Sequence, residues 1–282
     1  MIALLALASS AVWGTSDFVG GVLSRRIAAV RVVTLSQLGG LIVISAAMAV
    51  VLLTSGVPSG TGWLLPGLAS GVIGAIGLTA FYAALSSGTM GVVSPIAALG
   101  AVLPVVLGIL SGDELGPWTI IGMGVAIVGA ALASGPELAG GAARRPLALA
   151  VVAATGFGLA LYLLDRASAY DVVPALWAMR IGSVTMLGGV MLVLARRRRL
   201  PEGRASRRDL PALLLLGTGD LSANALFGYA TTHGYVSVAS VLGSLYPVAT
   251  VLWARYLLHE RMRGVQALGV GLAVVGVVLT AS

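Results

Sequence analysis

The stretch GMGVAIVG at residues 122–129 recurs as GVGLAVVG at 269–276, so that Gly122, Gly124 and Gly129 fall on Gly269, Gly271 and Gly276. A second pair keeps almost the same interval. FYAALSSG at 81–88 lies over FGYATTHG at 227–234, with Phe81 on Phe227, Ala84 on Ala230 and Gly88 on Gly234. Two matches at nearly one interval mark a chain built as two copies of one unit, here 1–138 and 139–282.

What lies around these matches shows what the unit is made of. Hydrophobic residues make up 58% of the chain and charged residues 10%, against about 45–50% and about 25% in soluble domains, which leaves too little polar surface to coat a water-exposed globule. The apolar runs are about 20 residues long, enough to cross roughly 30 Å of hydrocarbon at 1.5 Å per residue. They fall near 3–22, 30–53, 64–85, 91–110, 117–134, 146–164, 172–195, 210–230, 236–257 and 264–281. The runs are continuous, without the alternation of a membrane β-strand. The expected fold is therefore an all-α integral membrane protein with ten transmembrane helices, five per unit. An odd number makes the second unit enter the bilayer from the opposite side, so the repeats are inverted. The opening MIALLALASSAVWG lacks the basic start of a signal peptide and reads as the first of these helices.

All 17 basic residues other than histidine are arginines. Apart from Arg166 and Arg180, they sit at the loops or helix ends joining helices one to two, five to six, seven to eight and nine to ten. The positive charge thus points to orientation in a bilayer, not to nucleic acid. The positive-inside rule makes those loops cytoplasmic and puts both termini outside. Arg196–Arg199 serves the same anchoring, or binds anionic headgroups.

Each unit has a proline-bearing helix followed by an acidic turn. GAVLPVVLGILSGDEL at 100–115 holds Pro104, Asp113 and Glu114, and SLYPVATVLWARYLLHER at 244–261 holds Pro247 and Glu260. An interior proline removes a helical hydrogen bond, a loss that neighbouring helices can make good inside a membrane bundle. Registered on Glu114 and Glu260, the two structural kinks fall one turn apart. The acidic residues at these helix ends read as caps or loop contacts, with gating as the other reading.

These features together resemble the EamA-type permeases of the drug/metabolite transporter superfamily. The likeness rests on Trp13-Gly14 in helix one, the proline-to-glutamate spacing of YPVATVLWARYLLHER, its twin ending in GDEL, and the paired glycine patterns. It implies two inverted repeats around a central cavity, alternating access, and export or uptake of small metabolites such as amino acids; it also implies termini inside, the opposite of the orientation read from the arginines. Family members often carry a polar or basic residue in helices two and seven. Gln37 and Arg180 stand there, which makes the two halves of the cavity chemically unequal.

Ionisable residues within the spans are the strongest site candidates, because a charge at the bilayer centre costs at least about 2.5 kcal/mol. They are Asp17, Arg180 and Asp220. Arg180 and Asp220 are expected to pair near mid-depth with Asn224 one turn along the same helix, as a substrate site or as a static packing pair. Asp17 and Gln37 are expected to meet and to serve coupling, or else Asp17 is a helix-end carboxylate wetted by a vestibule. Trp13, Tyr82, Trp177 and Tyr246 are available as cavity walls. The repeated glycines read as helix contacts, since no strand precedes them as in a nucleotide loop. Two isolated histidines and no cysteine offer no metal site, and no cofactor is implied.

The expected function is a secondary transporter that exports a small polar or amphipathic metabolite across the inner (cytoplasmic) membrane. Proton coupling, exchange and facilitated diffusion stay open, as does oligomeric state, for which a monomer suffices. The expected partners are a small-molecule substrate and the lipid bilayer. No Walker-type stretch is present, and there is no lysine. The competing classes are a non-transporting scaffold or receptor and an intramembrane enzyme, and no nucleophile–base pair at mid-span supports the latter.

Overall fold

In the computed structural model, which describes residues 1–56, 58, 60–87, 93, 96–133, 144–249 and 264–281, the regular elements among the described residues are helical. They are α1 (Ile2–Ser24), α2 (Ala29–Thr54), α3 (Leu64–Ser87), α4 (Val102–Leu110), α5 (Pro117–Ala133), α6 (Arg144–Ser168), α7 (Val172–Arg196), α8 (Leu210–Thr231), α9 (Val236–Gly243) and α10 (Gly264–Ala281). Six of them, α1, α2, α3, α6, α7 and α8, are long and apolar enough to cross a membrane, and the other four lie in shorter apolar helices. Glu260, His259 and the rest of 250–263 lie outside the described residues, as does Gly88.

Most of these helices show no polar stripe. Leu4, Ile42, Leu53, Leu110, Leu215 and Val278 stand exposed on their outer faces, as expected where the surrounding medium is itself apolar. Polarity is turned inward. Ser9, Ser36, Gln37, Ser70, Arg180, Ser183 and Asn224 are buried.

The principal packing pairs are unchanged when each helix is exchanged for the one five later. α3 packs on α6 as α8 packs on α1, α3 on α7 as α8 on α2, and α4 on α6 as α9 on α1. α2 meets α7, α4 meets α9 and α5 meets α10, each helix touching its own counterpart. The FYAAL match follows this scheme. Phe81 of α3 stacks edge-on to Phe157 of α6 at 5.5 Å between ring centres, and Phe227 of α8 lies 5.9 Å from Trp13 of α1. Both phenylalanines, with Ala84 and Ala230, are buried.

The repeated glycines are the seam between α5 and α10. A methyl group added at Gly129 would run into the backbone of Ala273, one at Gly276 into Ala126, and one at Gly122 into Thr280. Helices in an apolar medium associate through such close contact, because burial of apolar side chains gives little advantage there. Gly124 and Gly271, two residues on from Gly122 and Gly269 and so on the other side of their helices, have open space beside them and are not part of the seam.

The prolines mark two breaks. A 3-10 turn at Leu99–Ala101 precedes α4, with Pro104 in that helix's first turn, while α9 stops at Gly243 and the chain turns through Ser244 and Leu245 before helical residues 246–249, which include Pro247. Neither proline can donate to the carbonyl four residues back, that of Gly100 or of Gly243, and in both units the helix is irregular just there. The expected one-turn offset between the kinks is not observed. Gly100 and Ala101 stand to Pro104 as Gly243 and Ser244 stand to Pro247, and all four line the same cavity. Registering on the acidic ends misplaced the kinks because proline and glutamate are 10 residues apart in the first unit (104 to 114) and 13 in the second (247 to 260).

The halves are also joined beyond the helices. Asp113, after α4, accepts hydrogen bonds from the backbone N–H of Ser237 at 3.1 Å and from its hydroxyl at 2.6 Å, capping α9 across the repeat boundary. At the opposite ends of the helices, Arg26 pairs with the buried Asp209 at 2.5 Å. Asp209 is held there by a capping box with Ser206. Gly203, at φ 79°, lets the α7–α8 connection lie on the backbone of Arg26 and Ile27.

Candidate functional site

Between the halves lies a cavity, partly open to the outside, into which α1, α2, α3, α6, α7, α8 and both proline breaks contribute. Its polar wall is made by α2, α7 and α8. Arg180 of α7 is 1% exposed and donates from Nη2 to Asp220 Oδ2 at 2.7 Å and from Nη1 to Gln37 Oε1. Gln37 closes the triangle, donating from Nε2 to Asp220 Oδ2 at 3.1 Å. Its Oε1 also accepts from the Ser183 hydroxyl at 3.0 Å. Asn224 donates back along α8 to the Asp220 carbonyl at 2.6 Å and lies 3.3 Å from Asp220 Oδ1. A charge that has left water keeps a tolerable energy only where such partners replace the water. Both Nη atoms of Arg180 have them, while its Nε, against Gly40, has no hydrogen-bond partner among the described residues.

Glycines make room for this network. Gly40, one turn beyond Gln37, lies against Arg180 Nε, and Gly217, one turn before Asp220, lies against the backbone of Ser36. Side chains at these positions would push α2 away from α7 and α8.

Asp17 is on α1, on the same cavity but outside the triangle. Tyr82 of α3 donates to its Oδ1 at 3.2 Å. The tyrosine reaches it across Gly20, where a methyl group would strike the phenol ring. Asp17 therefore meets Tyr82, and the expected meeting with Gln37 does not occur. Gln37 is turned to α7 and α8. Similar positions along α1 and α2 said nothing about which helix each side chain faces.

The expected aromatic walls divide. Trp13 and Tyr246 line the cavity. Tyr82 is buried behind Asp17 and is not among the lining residues. Trp177 is a correction of another kind, since it points away from the cavity. It packs on Trp63 at 6.5 Å between ring centres and donates from Nε1 to Ser45 Oγ at 3.2 Å. Nearness to Arg180 in sequence was misleading: Trp177 lies about 4.5 Å away along α7, nearly a full turn, and there it meets Trp63 and Ser45 instead of the cavity.

Two features escaped the sequence reading. Ser183 is one, although setting Phe81 on Phe227 also sets Gln37 on Ser183, and the two touch. The other is the apolar wall. That same register sets Gly74 on Asp220 and Leu78 on Asn224, and all four residues line the cavity. The second unit thus presents a carboxylate and an amide where the first presents a hydrogen atom and an isobutyl group. Two equivalent walls face one space with opposite chemistry.

The EamA-like transporter family model matches the chain twice, over residues 1–135 and 144–282. The chain belongs to the EamA-like transporter family. It is accordingly a membrane protein, and the helices of this EamA-like chain carry the apolar outer faces that such a family requires. Its fold has been seen before. A solved structure described as a crystal structure of a protein is similar with a TM-score of 0.77 at 17% identity, over 98% of this chain and 95% of that one. No curated protein matches the sequence. For an EamA-like transporter, the cavity between the repeats is where transport chemistry is to be sought.

Proposed function

We propose that this protein is a secondary transporter that moves a small amphipathic metabolite out of the cell by alternating access, with the substrate held in the cavity between two inverted five-helix repeats, 1–138 and 139–282. The observation that carries the reading is the cavity's two unlike walls. Asp220 and Asn224 suit a polar head, and Gly74 and Leu78, at the matching positions of the other unit, suit an apolar body. Arg180 and Gln37 position Asp220, while Trp13 and Tyr246 bound the space. Asp17 serves coupling. Broken helices at the cavity support the same reading, because inverted-repeat transporters gather substrate at such interruptions and rock one unit against the other around them. A scaffold or receptor would have no use for a charged network facing an internal space. An enzyme would need a reacting pair there, and Arg180, Gln37 and Asp220 are engaged with one another.

The absence of cysteine makes the test direct. Leu161, half-buried on the cavity wall, is replaced by cysteine as the chain's single thiol. In proteoliposomes, membrane-impermeant thiol reagents are expected to modify it from either side, with the two accessibilities shifting in opposite directions when ligand is added. Labelling from one side alone, unaltered under all conditions, would reject alternating access.

The arginine distribution supports an orientation with both termini outside the cytoplasmic membrane. A C-terminal alkaline phosphatase fusion is expected to be active and a green fluorescent protein fusion to be dark. The reverse pattern would invert the assigned orientation.

A further inference from the structure

Among the described residues, the cavity is lined by two carboxylates, Asp17 and Asp220, and one cation, Arg180. These three are unequally presented. Arg180 is 1% exposed, with its Nη atoms on Gln37 and Asp220 and its Nε against Gly40 of α2. The Asp220 side chain is 15% exposed and Asp17 is half-buried. A molecule entering the space therefore meets carboxylate oxygen, with the guanidinium behind it. The two acids are also neighbours. Ser16 of α1 and Gly219 of α8 are in contact, a methyl at Gly219 falling 2.5 Å from Ser16 Oγ, and Asp17 and Asp220 follow them in sequence.

Their partners differ. Asp220 accepts from Arg180 and Gln37, so its charge is balanced. Asp17 accepts from the Tyr82 hydroxyl alone among the described residues, which is a neutral donor to one oxygen. Trp13 stands one helical turn before Asp17 and lines the same space, and Tyr246 lines it too. A carboxylate without a cation of its own, in a space it shares with two aromatic side chains, is a setting that attracts positive charge by Coulomb force.

From this we infer that Asp17 is the docking point for a cationic nitrogen, and that the transported molecule is an amine-bearing amphipath whose ammonium group rests between Asp17 and Asp220 with its apolar body toward Gly74 and Leu78. The inference rests on the transporter reading for the word "transported" but not for the binding site itself. It assigns no contact to a substrate carboxylate, because the one cation among the described lining residues, Arg180, is already enclosed.

The test uses the full chain, purified in detergent, and three probes that share a phenyl body: 2-phenylethylamine, 2-phenylethanol and 3-phenylpropionate. Binding is followed by calorimetry and by tryptophan fluorescence, with Asp17→Asn in the same detergent as control for partition into micelles. The amine is expected to bind at least about tenfold more tightly than the alcohol or the acid, and Asp17→Asn to remove that preference while the protein keeps its elution profile. Equal or tighter binding of the alcohol or the acid overturns the assignment, as does an amine affinity unchanged in Asp17→Asn, and so does failure of all three to bind. Because the probe comparison is made on the unaltered protein, it stands even where the variant does not fold. Amine binding with no amine flux in proteoliposomes would uphold the Asp17 site and reject the transporter reading. Flux of all three without preference would do the opposite.

Discussion

Asp220→Ala is expected to be the most damaging single substitution in the polar network, costing about 3–5 kcal/mol, because it strands a charge that has nowhere to go. Arg180 is 1% exposed, and a guanidinium keeps its charge inside a protein. Without Asp220, the neutral Gln37 oxygen is its one remaining side-chain partner among the described residues. Arg180→Ala strands the other member, but the Asp220 side chain is 15% exposed to the cavity and can be hydrated there. Its cost is expected to be the smaller of the two. Arg180→Ala combined with Asp220→Ala removes both charges together and is expected to recover much of the loss, since a buried pair as a whole contributes little net stability. Thermal midpoints in detergent should therefore fall in the order wild type, double variant, Arg180→Ala, Asp220→Ala. A double variant no more stable than Asp220→Ala would mean that the pair stabilises the bundle in its own right.

The second large effect divides one motif in two. Gly276→Leu and Gly129→Leu each place a side chain where the facing backbone already stands, at Ala126 and at Ala273. Such overpacking typically costs about 1–3 kcal/mol and more where backbone must move. Separation of α5 from α10 is the expected result, seen as loss of a monodisperse elution peak. Gly124→Leu and Gly271→Leu alter equally repeated glycines, yet they have open space beside them and are expected to be tolerated. Uniform sensitivity at all four positions would show that the repeat is preserved for something other than this seam.

Much of the fold was legible because a bilayer imposes length on apolar runs, and because the repeat carries its contacts with it. Gly122, Gly129 and Gly276 read as packing residues and are packing residues. The meeting of Arg180 with Asp220 was also legible, since two opposite charges at similar depth in adjoining spans have little else to pair with. What sequence did not give was direction around each helix. Asp17 and Gln37 share a position along their helices but face different neighbours, Tyr82 in one case and Arg180 with Asp220 in the other. Trp177 sits three residues from Arg180 and belongs to another surface. The kinks were misregistered for a related reason. Helix breaks follow the prolines, whereas the alignment followed the acidic residues, and the spacing between the two differs between the units. The apolar wall at Gly74 and Leu78 was silent, because nothing about a glycine and a leucine in an apolar run draws attention until the counterpart positions prove to be Asp220 and Asn224.

The family membership establishes a transporter-family chain, and the cavity network is the place where its substrate is proposed to act. The most direct test is flux through the folded double variant. Wild-type protein and the Arg180→Ala, Asp220→Ala variant, matched for elution profile and reconstituted at equal density, are loaded with a metabolite extract, and the release of each compound is followed by mass spectrometry. Wild-type vesicles are expected to release one amphipathic class well above protein-free vesicles, and the double variant to release none of it above that background. Equal release by the two proteins would contradict the account and reduce the pair to helix packing.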